Sequence, residues 1–228
     1  GLSPYMGSVF PETNPEKYFK YLSFKTASEE EKDTWVSSLI YFTKKLLFKT
    51  PKKRAVLKSP AHTARIHLLK KAFPNCKIIH ICRSPYKVFQ STQHLYNRLF
   101  SQWYLQRAVS GFDPNEEELE RSKRYIVKIF KDMYNAYFED VKNIELAKDE
   151  FIQIKYEDLC ASPRECVKRI YEQLHLEGFG PLETKLKNYE EHMAPNHQTN
   201  SYEELSSKEM ELVAQEWKQY FDHFGYQV

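Results

Sequence analysis

The run Lys77-Ile-Ile-His-Ile-Cys82 is apolar almost throughout, and Arg83-Ser84-Pro85 follows it with no linker between. Short continuous apolar runs bounded by turn or cap residues read as buried strands. A Ser-Pro pair reads as a helix start, with proline at the first helical position, where its missing N–H costs nothing. A buried strand that feeds directly into a helix is the repeating unit of parallel α/β architecture. Two more runs fit the pattern: Arg54-Ala-Val-Leu-Lys58, closed by Ser59-Pro60, and Phe151-Ile-Gln-Ile-Lys155, followed by Tyr156-Glu157-Asp158-Leu159.

Between these runs the apolar residues recur at helical spacing. Ser28 caps a helix that opens on Glu29, Glu30 and Glu31, suits the helix dipole and runs to about Phe48. Further helices are expected over 62–73, from Ser84 to about Val109, and from Asn115 to about Leu146 behind Asp113-Pro114. Ser162-Pro163 caps an amphipathic helix carrying Val167, Ile170, Tyr171 and Leu174, and Ser206 caps a last one through Trp217 to Phe221. Residues 1–27, with Pro4, Pro11 and Pro15, read as irregular, and 176–205 as mixed. The expected class is therefore a helix-rich α/β fold with a parallel sheet flanked by helices. Only 6 glycines in 228 residues agree with few tight turns.

Charge is distributed unevenly. Residues 51–100 hold eleven Lys and Arg and no acid, while the rest of the chain carries 23 basic and 31 acidic residues. Such a block implies an anionic partner: nucleic acid, a membrane surface or nucleotide phosphates. No stretch of about 18 apolar residues exists, so no membrane span is expected. Cys76, Cys82, Cys160 and Cys166 lack the close spacing of a zinc site, and the eight histidines form no ligand-spaced pair, so no metal is expected. The cysteines read as structural thiols of a reducing compartment, which points to the cytoplasm. A nucleic-acid binder would interleave exposed aromatics with its basic residues, whereas Phe73, Tyr86 and Phe89 read as packing residues.

In open parallel sheets, ligands bind beyond the carboxyl ends of the strands. Three such ends are polar here: Lys58-Ser59-Pro60, Arg83-Ser84-Pro85 and Tyr156-Glu157-Asp158. Arg83 lies beside the N–H groups of a helix start, where anions bind. Ser84, Val88, Ser91 and Leu95 share one face of that helix, so Ser91 presents its hydroxyl on the side of Arg83. A guanidinium fork and a hydroxyl together can grip one phosphate.

Val56-Leu-Lys-Ser-Pro-Ala-His-Thr-Ala-Arg-Ile66 and Phe73-Pro-Asn-Cys-Lys-Ile-Ile-His-Ile-Cys-Arg-Ser-Pro-Tyr-Lys-Val-Phe-Gln-Ser91 resemble the core of sulfotransferases that use 3′-phosphoadenosine-5′-phosphosulfate (PAPS). Ile154-Lys-Tyr-Glu-Asp-Leu159 with Pro163 resembles a further block of that family. The likeness covers residues 54–176, and Trp217…Phe224-Gly-Tyr226 matches more weakly. It implies a P-loop NTPase-like sulfotransferase fold in a single domain over 1–228. Within it, 1–50 is a variable substrate-side segment and helix, 51–176 the PAPS-binding core and 177–228 a C-terminal helical part. It implies sulfuryl transfer from PAPS to a hydroxyl or amine, with PAPS as co-substrate. Arg83 and Ser91 match the ligands of the 3′-phosphate, and Tyr156 matches a tyrosine that contacts the adenine. Lys58 matches the lysine that stabilises the bridging oxygen as the sulfuryl group leaves, a role suited to an ammonium on a flexible stem.

The general base is less defined. In one branch of the family it is a histidine two residues after the lysine, and here that position is Pro60. His62 stands two residues further on, as a substitute base or as a plain helix-start histidine; other branches use a carboxylate from elsewhere. The family also opens on a strand and a loop that cradle the 5′-phosphosulfate, and nothing before Lys58 matches them. The expectation is a partial member without that first strand–loop–helix, unable to turn over PAPS as an isolated chain. The acceptor, whether small molecule, carbohydrate or protein, is left open, with 1–27, 100–115 and 190–202 as the segments expected to contact it. A non-catalytic phosphate- or polyanion-binding α/β module is the alternative, whereas a P-loop kinase is disfavoured because no G-x4-G-K-[ST] occurs.

Overall fold

The structure, a computed structural model, describes residues 15–51, 53–103, 116–192 and 200–228. The Asp113-Pro114 cap, Lys52 and most of the three expected acceptor segments lie outside the described residues. The chain divides into two compact units: residues up to Cys76 with Thr92–Glu145, and Lys77–Ser91 with Leu146–Val228.

The first unit is helical. Helix α1 (Pro15–Ser23) stands where an irregular segment was expected. Its apolar residues Tyr18 and Leu22 are buried with Ala61, Ala64 and Ala136, which gives the short helix a packing face that its prolines obscure in the sequence. Helix α2 (Glu29–Lys49) opens on a complete capping box: the Ser28 hydroxyl accepts the Glu31 N–H, and the Glu31 carboxylate accepts the Ser28 N–H. Glu31 also accepts from Lys20 and Tyr21, and the Lys20 contact above all holds its carboxyl down at about 2. Trp35 and Val36 of α2 are buried against Phe24, Leu68 and Ala72.

Residues 54–58 are not a strand. A strand needs a ladder partner, and β1 and β2 pair with each other and not with this run. Val56 is accordingly 86% exposed. The expected helix over 62–73 is present as a 3₁₀ turn, Pro60–Arg65, followed by α3 (Ile66–Ala72). Arg65 belongs to the basic block, yet it is buried and serves the core. Its guanidinium lies over Phe24 and Trp35 and donates to the carbonyls of Leu22 and Tyr21. Asp140 is 3% exposed on the long helix α5 (Glu116–Asn143) and accepts from the His67 N–H, the His67 ring Nδ1 and Lys25.

The second unit holds a parallel pair, β1 (Ile78–Cys82) and β2 (Phe151–Lys155), in register from Ile78 opposite Phe151 to Cys82 opposite Lys155. Ile152 and Ile154 pack on Ile170 of α7 (Pro163–Gln173) and on Leu174 at its C-cap, each such burial contributing about 1.5–3 kcal/mol. His80 and Cys82 of β1 are buried too, with the His80 ring stacked 5.4 Å from Phe224. Helix α4 (Pro85–Trp103) leaves β1 directly, as expected, and the boundary between the units falls within it. The stretch after β2 is a short helix, α6 (Tyr156–Ala161). Then come α8 (Phe179–His192), α9 (Ser207–Glu216) and α10 (Lys218–Phe224). Ser206 caps α9 with a second capping box, and α10 ends at Gly225 with φ 65°, a left-handed turn suited to glycine. Among the described residues no helix is long and apolar enough to cross a membrane.

Candidate functional site

The end of β1 is fixed by groups far along the chain. The Arg83 N–H donates to the Tyr220 hydroxyl at 3.0 Å, and that hydroxyl donates back to the Arg83 carbonyl at 2.9 Å. One phenol therefore satisfies both backbone groups of the residue at which strand becomes helix. The next N–H, that of Ser84, was expected to be open to an anion. Instead it donates to Glu157 Oε1 at 2.8 Å, while Glu157 Oε2 accepts the Tyr226 hydroxyl at 2.8 Å. A carboxylate at a helix start offsets the dipole much as a phosphate does, so the protein fills this position with its own anion. Burial works against the charged form of Glu157, but the bonds from Ser84 and Tyr226 and the nearby Arg83 outweigh it and hold its carboxyl below the usual range. Burial, with Glu157 beside it, pushes the Tyr226 phenol well up.

With the helix start occupied, the groups left to meet an anion are side chains. The Arg83 guanidinium carbon lies 4.5 Å from the centre of the Tyr156 ring, a cation–π arrangement that orients its planar fork. Two turns into α4, Ser91 Oγ is 3.3 Å from the hydroxyl of Tyr202. Next to it, Gln90 is buried and donates from Nε2 to the Glu203 carbonyl at 2.9 Å. The structure thus brings Arg83, Ser91 and Tyr156 into one unit and adds Tyr202.

Lys58 and His62 belong to the other unit. Lys58 is exposed just before the 3₁₀ turn. The His62 N–H donates to the Ser59 carbonyl, and the ring stands edge-on to Trp35 at 6.1 Å. Its Nδ1 is buried without a hydrogen-bond partner. Burial first, and the charge of Arg65 second, hold the imidazole below its ordinary value, so it is neutral near pH 7. The rest of the basic block is partly neutralised. Lys71 pairs with Asp33 and Glu29, and Lys77 pairs with Asp149. Among the described residues no group of three or more His, Cys, Asp or Glu is placed to hold a metal ion.

Sequence reasoning missed Tyr202 and the two tyrosines of the C-terminal segment, Tyr220 and Tyr226. The Phe224-Gly-Tyr226 end was a visible signal for the last of these. Tyr202 carried none, because a single tyrosine in a polar stretch has no periodicity to mark it.

Strand, basic junction and helix face together define a helix-rich α/β protein with a candidate site beyond the carboxyl end of a parallel strand. Comparison with known proteins narrows the class. The model of the sulfotransferase family matches residues 11–181, and the chain belongs to that family. It is 30% identical, over 226 residues, to omega-hydroxy-beta-dihydromenaquinone-9 sulfotransferase Stf3 of Mycobacterium bovis and of Mycobacterium tuberculosis. Those alignments cover 98% of this chain and 54% of each relative, so the chain spans about half the length of the curated relatives it matches. The crystal structure of sulfotransferase STF9 from Mycobacterium avium shares the fold, with a TM-score of 0.58 at 22% identity over 75% of this chain and 42% of that one.

Proposed function

We propose that the chain binds PAPS by its 3′-phosphate and adenine, in an enzyme that transfers the sulfuryl group to the hydroxyl of a small-molecule acceptor. The observation that carries this reading is the Arg83 guanidinium stacked on Tyr156 in the same unit as the hydroxyl of Ser91. A bidentate cation, a hydroxyl and an aromatic face are the three kinds of group that a 3′-phosphorylated adenosine requires. When bound, PAPS supplies an activated sulfuryl group whose bond to the bridging phosphate oxygen breaks as the acceptor oxygen bonds to sulfur. In this reading Lys58 stabilises the negative charge that develops on the bridging oxygen. His62, held neutral near pH 7, is the candidate to take the acceptor proton. The curated relatives are named for a hydroxylated menaquinone, which supports a hydroxyl-bearing small molecule as the acceptor class.

The test is calorimetry with 3′,5′-ADP and 5′-AMP on the intact protein and on Arg83→Ala. The reading requires a marked preference for the 3′-phosphorylated nucleotide that disappears in the variant. Equal affinity for both nucleotides in the parent protein overturns it.

A further inference from the structure

Helix α2 is apolar on two opposite sides, one turned to the core and the other to solvent. On the inner side Trp35 and Val36 pack in the core, and Thr43, seven residues after Val36, is buried as well. A rotation of about 100° per residue places Tyr41 and Phe48, themselves seven apart, on the far side. There Tyr41 is 61% exposed and Phe48 91%. Phe42, Leu46 and Leu47 are exposed along the flanks, and Val56 is exposed just beyond the helix end. Contiguous apolar surface of this kind marks a place where something docks.

The charge around the outer face narrows the partner. Lys44 and Lys45 lie between the two rings along the helix, and Lys49 follows Phe48. Lys53 and Arg54 come next, after a turn in which the Lys53 N–H donates to the Thr50 carbonyl. All five cations are exposed. Among the described residues none of them pairs with an acid, and Lys45 stands over the Tyr41 ring at 4.6 Å. The chain has no Asp or Glu between Asp33 and Asp113. Rings and aliphatic side chains interleaved with unmatched cations fit a surface that is anionic outside and hydrocarbon within. A polynucleotide matches the charge and can stack on the rings, but it has no apolar phase for Leu46, Leu47 and Val56. A second copy of the chain would set lysine against lysine, and protein interfaces are depleted in lysine.

We propose that the C-terminal half of α2, with the turn after it, is a docking face for a bilayer containing acidic phospholipid. Tyr41 and Phe48 enter the interfacial layer, where amphipathic and aromatic side chains are favoured. Lys44, Lys45, Lys49, Lys53 and Arg54 meet the headgroups. The helix lies along the surface and does not cross it, because its inner side stays packed on Leu68 and Ala72 of α3. The face is made by the first unit alone and stands independently of the nucleotide reading.

The experiment is co-sedimentation of the whole chain with two kinds of vesicle, phosphatidylcholine alone and phosphatidylcholine with about a third phosphatidylglycerol. Binding to the acidic vesicles that falls steeply with salt is expected, with little binding to phosphatidylcholine. Replacing Lys44, Lys45 and Lys49 together by Gln weakens it about 100-fold, and Tyr41→Ser with Phe48→Ser about 10-fold or more. These side chains are exposed, so both variants keep the melting temperature of the parent protein. Phe48→Trp retains an apolar ring and retains binding, and its added indole emission shifts to the blue on acidic vesicles. No vesicle binding by the parent protein, or no such shift in Phe48→Trp, overturns the proposal. Binding unchanged by Tyr41→Ser with Phe48→Ser also overturns it, since charge alone then accounts for the affinity. Tighter binding of a single-stranded oligonucleotide than of acidic vesicles overturns it in favour of nucleic acid. A dimer that Tyr41→Ser with Phe48→Ser dissociates overturns it in favour of a second copy.

Discussion

Tyr220→Phe isolates the contribution of one hydroxyl. The residue is 2% exposed, and its ring packs against Phe224 and Tyr226, contacts that phenylalanine preserves. What disappears is the oxygen that accepts the Arg83 N–H and donates to the Arg83 carbonyl. A buried backbone group left without a partner costs about 1–3 kcal/mol, and two are orphaned here. Arg83 is only half-buried, so water recovers part of that loss. The expected net destabilisation of this junction is about 2 kcal/mol. The direct assay is hydrogen exchange at the Arg83 amide, which reports local opening. A 2 kcal/mol loss corresponds to roughly 30-fold faster exchange. Affinity for 3′,5′-ADP is expected to fall as well, because the Arg83 side chain is aimed by the backbone that Tyr220 holds. Exchange within threefold of the parent protein, together with unchanged nucleotide affinity, refutes the view that Tyr220 fixes the site.

Two further outcomes are expected. Asp140→Asn removes a buried carboxylate that accepts from His67 twice and from Lys25, and is expected to lower stability by about 2–3 kcal/mol in denaturant titrations at pH 7. Burial opposes the charged form of Asp140, but those bonds overcome it and hold its carboxyl below the usual value. Its stabilisation is thus full above the unfolded carboxylate pKa near 3.9 and fades as pH falls through the lower folded value. The advantage of the parent protein over Asp140→Asn is therefore expected to shrink between pH 5 and pH 3 in thermal melts. On the role proposed for it, Lys58→Ala slows sulfuryl transfer by about 100-fold or more while 3′,5′-ADP affinity changes little. A matching loss of affinity would place Lys58 in binding instead.

What the sequence made legible follows from how local each signal is. The capping boxes at Ser28 and Ser206 are read within four residues, and both are present. The strands β1 and β2 were visible because short, mostly apolar runs bounded by turn or cap residues have few other uses. Residues 54–58 carried the same signal and do not join the ladder, since a ladder partner is not a property of the run itself. The anion site was half legible. Arg83 and Ser91 stand out by their spacing along one strand–helix unit. The occupant of the helix start, Glu157, comes from 73 residues away, and the Tyr202 hydroxyl reaches Ser91 across 111. Both depend on packing that no local pattern encodes. The acid-free block overstated the positive face, because Arg65 is spent inside the core and Lys71 and Lys77 are matched by distant acids.

The clasp on Arg83 also bears on the order of assembly. The junction and the tyrosine that secures it are separated by 137 residues. At a synthesis rate of about 5–20 residues per second, the strand leaves the ribosome on the order of 10 s before its partner exists. During that interval the β1 end lacks Tyr220, and for about the first half of it Glu157, 73 residues on, is missing as well. The junction at the end of β1 is therefore completed late in translation, once α10 has emerged and folded back.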